Sequence, residues 1–229
     1  PGTLSAMLGE TLKSVKDLSI TGKINSADID SLMQAGALEV LNLLDATIVD
    51  AEGKETTVFP GYTLRKHPSL TTLTFPKTVT SIGAGAFFKC LKLKKVVLPE
   101  AIKKLSESVF MSCSALSEIN FPNGLESIGR SALYMTAITD FIAPKSLRAL
   151  GDNALYGTQI TKAVLNDKLE KIGQASFAAC KQLEKIEIEN NPNFKLVDGV
   201  LYSADETILV AYPLADKRPL YKTLSTVTT

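Results

Sequence analysis

The chain has 229 residues, 45% of them apolar and 21% charged, which marks a globular protein long enough for one large domain or two small ones. A formal charge of +1, with acids and bases interspersed, argues against a nucleic-acid or anionic-membrane partner. No apolar run approaches the roughly 20 residues of a membrane helix, so no membrane span is expected. The first residues carry no signal-peptide pattern.

Read from the N-terminus, the chain repeats itself. Val15, Leu18 and Ile20 return 23 residues later as Leu38, Leu41 and Leu43. The next return, at Leu70, Leu73 and Phe75, comes after 32 residues. That interval reads as one normal coil carrying an insertion over about 50–62, a stretch that contains Gly53, Pro60 and Gly61. From Leu70 the pattern L-x-x-L-x-L-P is plain. Leu70, Leu73, Phe75 and Pro76 are matched by Leu93, Val96, Leu98 and Pro99, then by Leu116, Ile119, Phe121 and Pro122, at a spacing of 23. Ile138, Phe141, Ala143 and Pro144 follow at 22, as do Ile160, Ala163 and Leu165, with Asn166 in the place of proline. Leu183, Ile186 and Ile188 close the series.

The second half of each unit is ordered too. Val79, Ile82, Phe87 and Cys90 correspond to Ile102, Leu105, Phe110 and Cys113, and later units carry Thr136, Thr158 and Cys180 at the cysteine position. Each set is one layer of a shared core, because an alternating strand of this length cannot bury its apolar face alone and must stack on its neighbours. Proline ends the strand by lacking an amide proton, Gly83, Gly129, Gly151 and Gly173 supply tight bends, and A-F segments such as Ala86-Phe87 fit a single helical turn. Phe141 is large where other strands carry Leu, Val or Ile, and Ala143 is small where they carry Phe or Leu, which keeps the layer's volume roughly constant.

Beyond Leu183, Val200–Tyr202 and Ile208–Tyr212 flank a turn at residues 204–206 and read as a capping hairpin. The tail from Leu214 has no apolar layer of its own, although Leu220 to Val227 suits the start of another coil.

The unit L-x-x-L-x-[FL]-P-x-x-V-x-x-I-G-x-x-A-F-x-x-C, clearest from Leu70 to Cys90, resembles the BspA-like leucine-rich repeats, the type also found in Treponema surface proteins. Asn191 to Phe194 with Asp198 to Tyr202 is similar to the hairpin that often ends or interrupts such arrays, and the opening Leu18 to Gly22 with Asp28 resembles the N-terminal coil of members from gut Bacteroidales. The resemblance implies a β-rich (α/β-type) leucine-rich-repeat solenoid, right-handed, with parallel strands on the concave face and short helical turns on the convex side. It would be one domain over 1–229: irregular N-terminal coils over 1–67, regular repeats over 68–190, and a capping hairpin and tail over 191–229. It also implies a secreted or surface-anchored protein that binds others, some relatives being regarded as adhesins for host matrix proteins. Any leader or anchor would lie outside these residues. Unlike the better-known eukaryotic repeat, this one shows no asparagine ladder after its strands, and the Cys or Thr positions take that place.

Residues that could carry chemistry have structural readings. Cys90, Cys113 and Cys180 share one core position of the repeat. Neighbouring coils about 5 Å apart would put Cys90 and Cys113 within disulfide reach, while the side-chain directions of a stacked ladder argue against the bond. His67 is the only histidine, so any triad or histidine-based zinc site would depend on it alone, and no G-x-S-x-G, H-E-x-x-H or P-loop occurs. Asp28 with Asp30, and Asp205 with Glu206, lack the spacing of a calcium loop and read as turn and cap residues. The expectation is a protein with no catalytic residues, metal or cofactor.

What remains is the surface. Residues flanking the central apolar position of each strand point outward, which gives the ladder Thr72 and Thr74, Lys95 and Val97, Glu118 and Asn120, Asp140 and Ile142, Lys162 and Val164, Lys185 and Glu187. Val97, Ile142 and Val164 among these charges suit a protein-binding patch. They equally suit the β-branched preference of any strand surface. The ladder has no aromatic residue and the chain no tryptophan, which disfavours a glycan there; a glycan site would centre on Tyr62. The expected partner is a protein, with a host extracellular matrix component as one candidate and a polysaccharide as the alternative.

Overall fold

A computed structural model describes residues 1–215 and 223–227. It is a solenoid of short parallel strands, in which each coil contributes backbone to several ladders that run along the stack. Of the further coil suggested over 220–227, residues 220–222 lie outside the described residues.

The L-x-x-L-x-L segments form the first ladder. Asp17–Ser19, Val40–Asn42, Thr72–Thr74, Lys95–Val97 and Glu118–Ile119 pair in parallel as one five-stranded sheet. Asp140–Ile142, Lys162–Leu165 and Lys185–Ile188 form a separate three-stranded sheet in the same repeat position. The alternation dictates which side is buried: Leu73, Val96, Phe141, Ala163 and Ile186 are inside, and their neighbours in sequence face out.

A second ladder, absent from the sequence reading, runs through the V-x-x-I segments. Val58–Phe59, Ser81–Ile82, Lys104–Leu105, Ser127–Ile128, Ala149–Leu150 and Lys171–Ile172 form a six-stranded parallel sheet. Two-residue strands are too short to show as an alternating run, which is why the pattern hid them.

The A-F segments make a third set of rungs. They are turns rather than helices, and alternate amides donate to the next coil: Gly85 to Glu107, Phe87 to Val109 and Lys89 to Met111, at 2.9, 3.0 and 2.8 Å. The coils therefore approach closely. Gly83, expected at a bend, sits instead where backbones touch, since a Cβ there would lie 2.4 Å from the Gly61 nitrogen; at Gly173 it would lie 2.3 Å from the Asp152 nitrogen.

The stretch 50–62 divides in two. Asp50 closes a tight loop by accepting from the Glu52 and Lys54 amides at 3.1 and 2.8 Å, and Val49 bridges Glu55. Val58–Phe59 then already belongs to the second ladder, and Phe59 stacks on Phe87, which stacks on Phe110, both at 5.6 Å between centroids. Of the three, only Phe87 and Phe110 share a repeat position; Phe59 reaches Phe87 from the second ladder, and the three rings pack together in this part of the core.

At the N-terminal end the helix Ser26–Ser31 is held by a reciprocal cap between Asn25 and Asp28. Beyond the last coil, Phe194–Val197, Val200–Ser203 and Leu209–Ala211 form an antiparallel sheet of three strands. Asp205 accepts from Ser203 and Thr207 in its turn, and Glu206 pairs with Lys195 at 2.6 Å.

Candidate functional site

The side chains that could have carried chemistry form a buried column. His67, Cys90, Cys113, Thr136, Thr158 and Cys180 occupy one repeat position and are all buried. Each has a backbone partner, which is the condition for burying a polar group. Cys90 Sγ reaches the Leu64 carbonyl at 3.0 Å, Cys113 the Phe87 carbonyl at 3.1 Å and Cys180 the Leu155 carbonyl at 3.2 Å. All three cysteines are free. The hydrogen bond to Cys90, and burial, push the Cys113 thiol well up, and burial raises that of Cys180.

His67 heads this column. Its Nδ1 accepts from the Leu70 amide at 3.2 Å, so Nε2 carries the proton and donates to the Leu32 carbonyl at 3.2 Å. Burial lowers its pKa against the opposing effect of that carbonyl. Both ring nitrogens are engaged, so the imidazole serves packing. Subtracting 23 from Cys90 gives His67, so the repeat register itself puts the histidine at the cysteine position.

Asparagines also bridge coils, contrary to expectation. Asn166 donates to the Leu147 carbonyl at 3.0 Å, and Asn191 to the Asn166 and Leu169 carbonyls at 2.9 Å each. These form a short asparagine ladder at the C-terminal end of the array.

Asp28 is a cap. Burial would raise its pKa, but the amides of Gly2, Leu4 and Asn25 outweigh this and hold the carboxylate below its ordinary range. Among the described residues no three His, Cys, Asp or Glu side chains are grouped to hold a metal ion.

On the outer strand face, Lys95, Val97, Asp140 and Ile142 are exposed, as are Glu118, Asn120 and Lys185. Thr72, Thr74, Lys162, Val164 and Glu187 are half-buried. Lys162 and Lys185 both pair with Glu187, at 2.9 and 2.7 Å, and hold its carboxyl below the ordinary range. Lys95 pairs with Glu118 at 3.4 Å. Asp140 accepts only from the adjacent Thr139 hydroxyl, at 3.1 Å, and has no cationic partner among the described residues.

Six members of this face come together around a single feature. Lys95, Val97, Glu118, Asn120, Asp140 and Ile142 line an open depression of about 790 Å³, with Ile119, Phe121 and Ile138 in its walls. It lies where the strand sheet breaks. Between Glu118–Ile119 and Asp140–Ile142 no strand pairing forms, while the coils on either side pair in register.

Four residues mark the break. Asn120 folds its side chain back, accepting from the Leu98 amide at 2.7 Å and donating to the Leu98 carbonyl at 2.9 Å, which takes over the rung its own backbone would supply. Phe141 fills the room beside Ala143 and meets Phe121 edge-on at 5.6 Å. Glu118 and Asp140 occupy equivalent outward positions on adjacent coils; Lys162 and Lys185, also alike in charge, pair in register where Glu187 meets both. The repeat interval drops from 23 to 22 at this step and is 22 again at the next, which is paired.

The sequence pattern of the BspA type leucine rich repeat region matches in six copies, over residues 54–158 and 136–197. The fold is similar to a leucine-rich repeat protein from Eubacterium ventriosum, at 23% identity and a TM-score of 0.67, covering 74% of this chain and 48% of that one. It is also similar to a leucine rich cell surface protein from Faecalibacterium prausnitzii, at 25% identity and a TM-score of 0.59, covering 76% and 54%. The pneumococcal vaccine antigen PcpA shares the fold at 17% identity and a TM-score of 0.51, covering 83% and 49%. The chain thus spans about half the length of these structures. No curated protein matches it.

Proposed function

The chain belongs to the BspA-type leucine-rich repeat family, and from that premise we propose that its strand face docks another protein at a bacterial cell surface. The observation that carries this reading is the depression at the sheet break. Exposed Ile142 and Val97 stand there beside charged Glu118, Asp140 and Lys95, a mixture of apolar and polar groups suited to a partner surface. Ile142 is 68% exposed, and a branched apolar side chain so placed contributes nothing to the core. The buried column of His67 and the cysteines has no opening to substrate, so the reading is a binding module rather than an enzyme. The likeness to a protein described as a leucine rich cell surface protein supports the location, and no helix among the described residues is long and apolar enough to cross a membrane.

The test is binding of the purified chain to immobilised fibronectin, fibrinogen and a glycan panel. Saturable binding to a protein, indifferent to Tyr62→Ala, is the expected result. Binding confined to glycans and lost in Tyr62→Ala would transfer the site to the exposed ring of Tyr62.

A further inference from the structure

The broken step of the strand sheet differs from its neighbours in its backbone as well as its side chains. At the intact steps an amide at the strand's start donates to the preceding coil: Lys95 to Thr71 and Glu118 to Lys94, both at 3.0 Å. At its end an amide donates to the following coil: Phe75 to Val97 at 3.2 Å and Ala143 to Val164 at 2.8 Å. The equivalent amides at the break are those of Asp140 and Phe121, and neither makes its inter-coil bond. Two strand edges therefore face the depression with donors and acceptors available, which is the template for adding an extended chain.

The side chains define what that chain must present. The outward row at the first strand position reads Thr72, Lys95, Glu118, Asp140, Lys162 and Lys185 along the stack, so two carboxylates flank the gap. Lys95 answers Glu118, but nothing among the described residues answers Asp140 except the Thr139 hydroxyl. At the second outward position Ile142 is bare, and Phe121 is half-buried in the wall.

We propose that the unbonded step between Glu118–Ile119 and Asp140–Ile142 is a strand-addition site for an extended segment of a protein partner, carrying a basic side chain between Glu118 and Asp140 and apolar side chains against Ile142 and Phe121. The inference rests on the docking reading above and specifies how that face engages its partner. Main-chain hydrogen bonds to the two edges give affinity, and the acidic pair sets the sequence preference. Asn120 turns its side chain to the preceding coil, where both of its bonds go to Leu98, so it supplies no rung across the gap.

The probe is a blocked hexapeptide of alternating valine and lysine, titrated into the intact chain while amide exchange is followed by NMR. Two controls accompany it: the same peptide N-methylated at alternate backbone nitrogens, and a valine–glutamate version. The expected result is saturable binding that slows exchange at the Asp140 and Phe121 amides and weakens at least about tenfold in both controls, the scale of one lost charge-assisted hydrogen bond. Equal affinity for the N-methylated peptide, unchanged exchange at those two amides, or no saturable binding each overturns strand addition. If the peptide fails while a protein partner still depends on the strand face, the docking reading stands and this inference falls. If no protein partner depends on that face, the docking reading falls and takes this inference with it.

Discussion

The side-chain amide of Asn120 closes two hydrogen bonds on the backbone of Leu98, accepting from its N–H at 2.7 Å and donating to its carbonyl at 2.9 Å. A side chain thus supplies the rung to the preceding coil that a strand backbone supplies elsewhere. Asn120→Ala removes both bonds and should lower stability by about 1–2 kcal/mol, since each net hydrogen bond is worth about 1 kcal/mol. Urea denaturation measures this directly; an unchanged midpoint would mean that Asn120 does not cap the Leu98 rung.

Phe110 is wholly buried and stacked on Phe87, within a run of rings shared by successive coils. Phe110→Ala leaves a cavity that tightly stacked backbones cannot collapse to fill, and the expected loss is about 3–5 kcal/mol. An unaltered melting temperature would contradict the layer assignment.

Stability should respond to His67 near neutral pH. Its folded pKa is lowered by burial, so between that value and the unfolded value of about 6.5 the unfolded chain binds more protons. The contribution of neutral His67 is therefore complete above about 6.5 and is lost as pH falls through the folded value. His67→Gln should flatten this part of the stability profile, and an unchanged slope would contradict it. The imidazole 15N shifts should report the Nε2–H tautomer.

Asp28 acts in a lower window. Its carboxylate holds three backbone amides and its pKa lies below the unfolded value of 3.8, so its contribution is present above that value and disappears as pH falls through the folded one. Asp28→Ala should cost about 1–2 kcal/mol at neutral pH through loss of the cap. The variant and the parent should converge in stability in strong acid, and a persistent gap there would contradict the assignment.

The periodicity of Leu70, Leu93 and Leu116 made the coil, its inward layer and its outward ladder legible, because stacking requires the same residue class at the same place in each unit. The second ladder leaves no alternating run because Ser81–Ile82 and its counterparts are only two residues long, and the close backbone approach at Gly83 leaves no periodic signal that separates it from a bend. His67 went unplaced because histidine resembles neither cysteine nor threonine as a letter, although it fills the same polar slot. The break between Ile119 and Phe141 rests on particulars that only geometry joins: two acids at the same repeat position, a bulky ring, and an asparagine turned to the coil before.

The central claim is that the strand face around that break docks a protein partner. It is tested most directly by comparing the parent chain with a Glu118→Lys, Asp140→Lys double variant against whichever immobilised protein the parent binds, with circular dichroism confirming the fold of both. Both side chains are exposed, so the variant should keep its structure and lose saturable binding. Full retention of binding by a folded double variant would contradict the account.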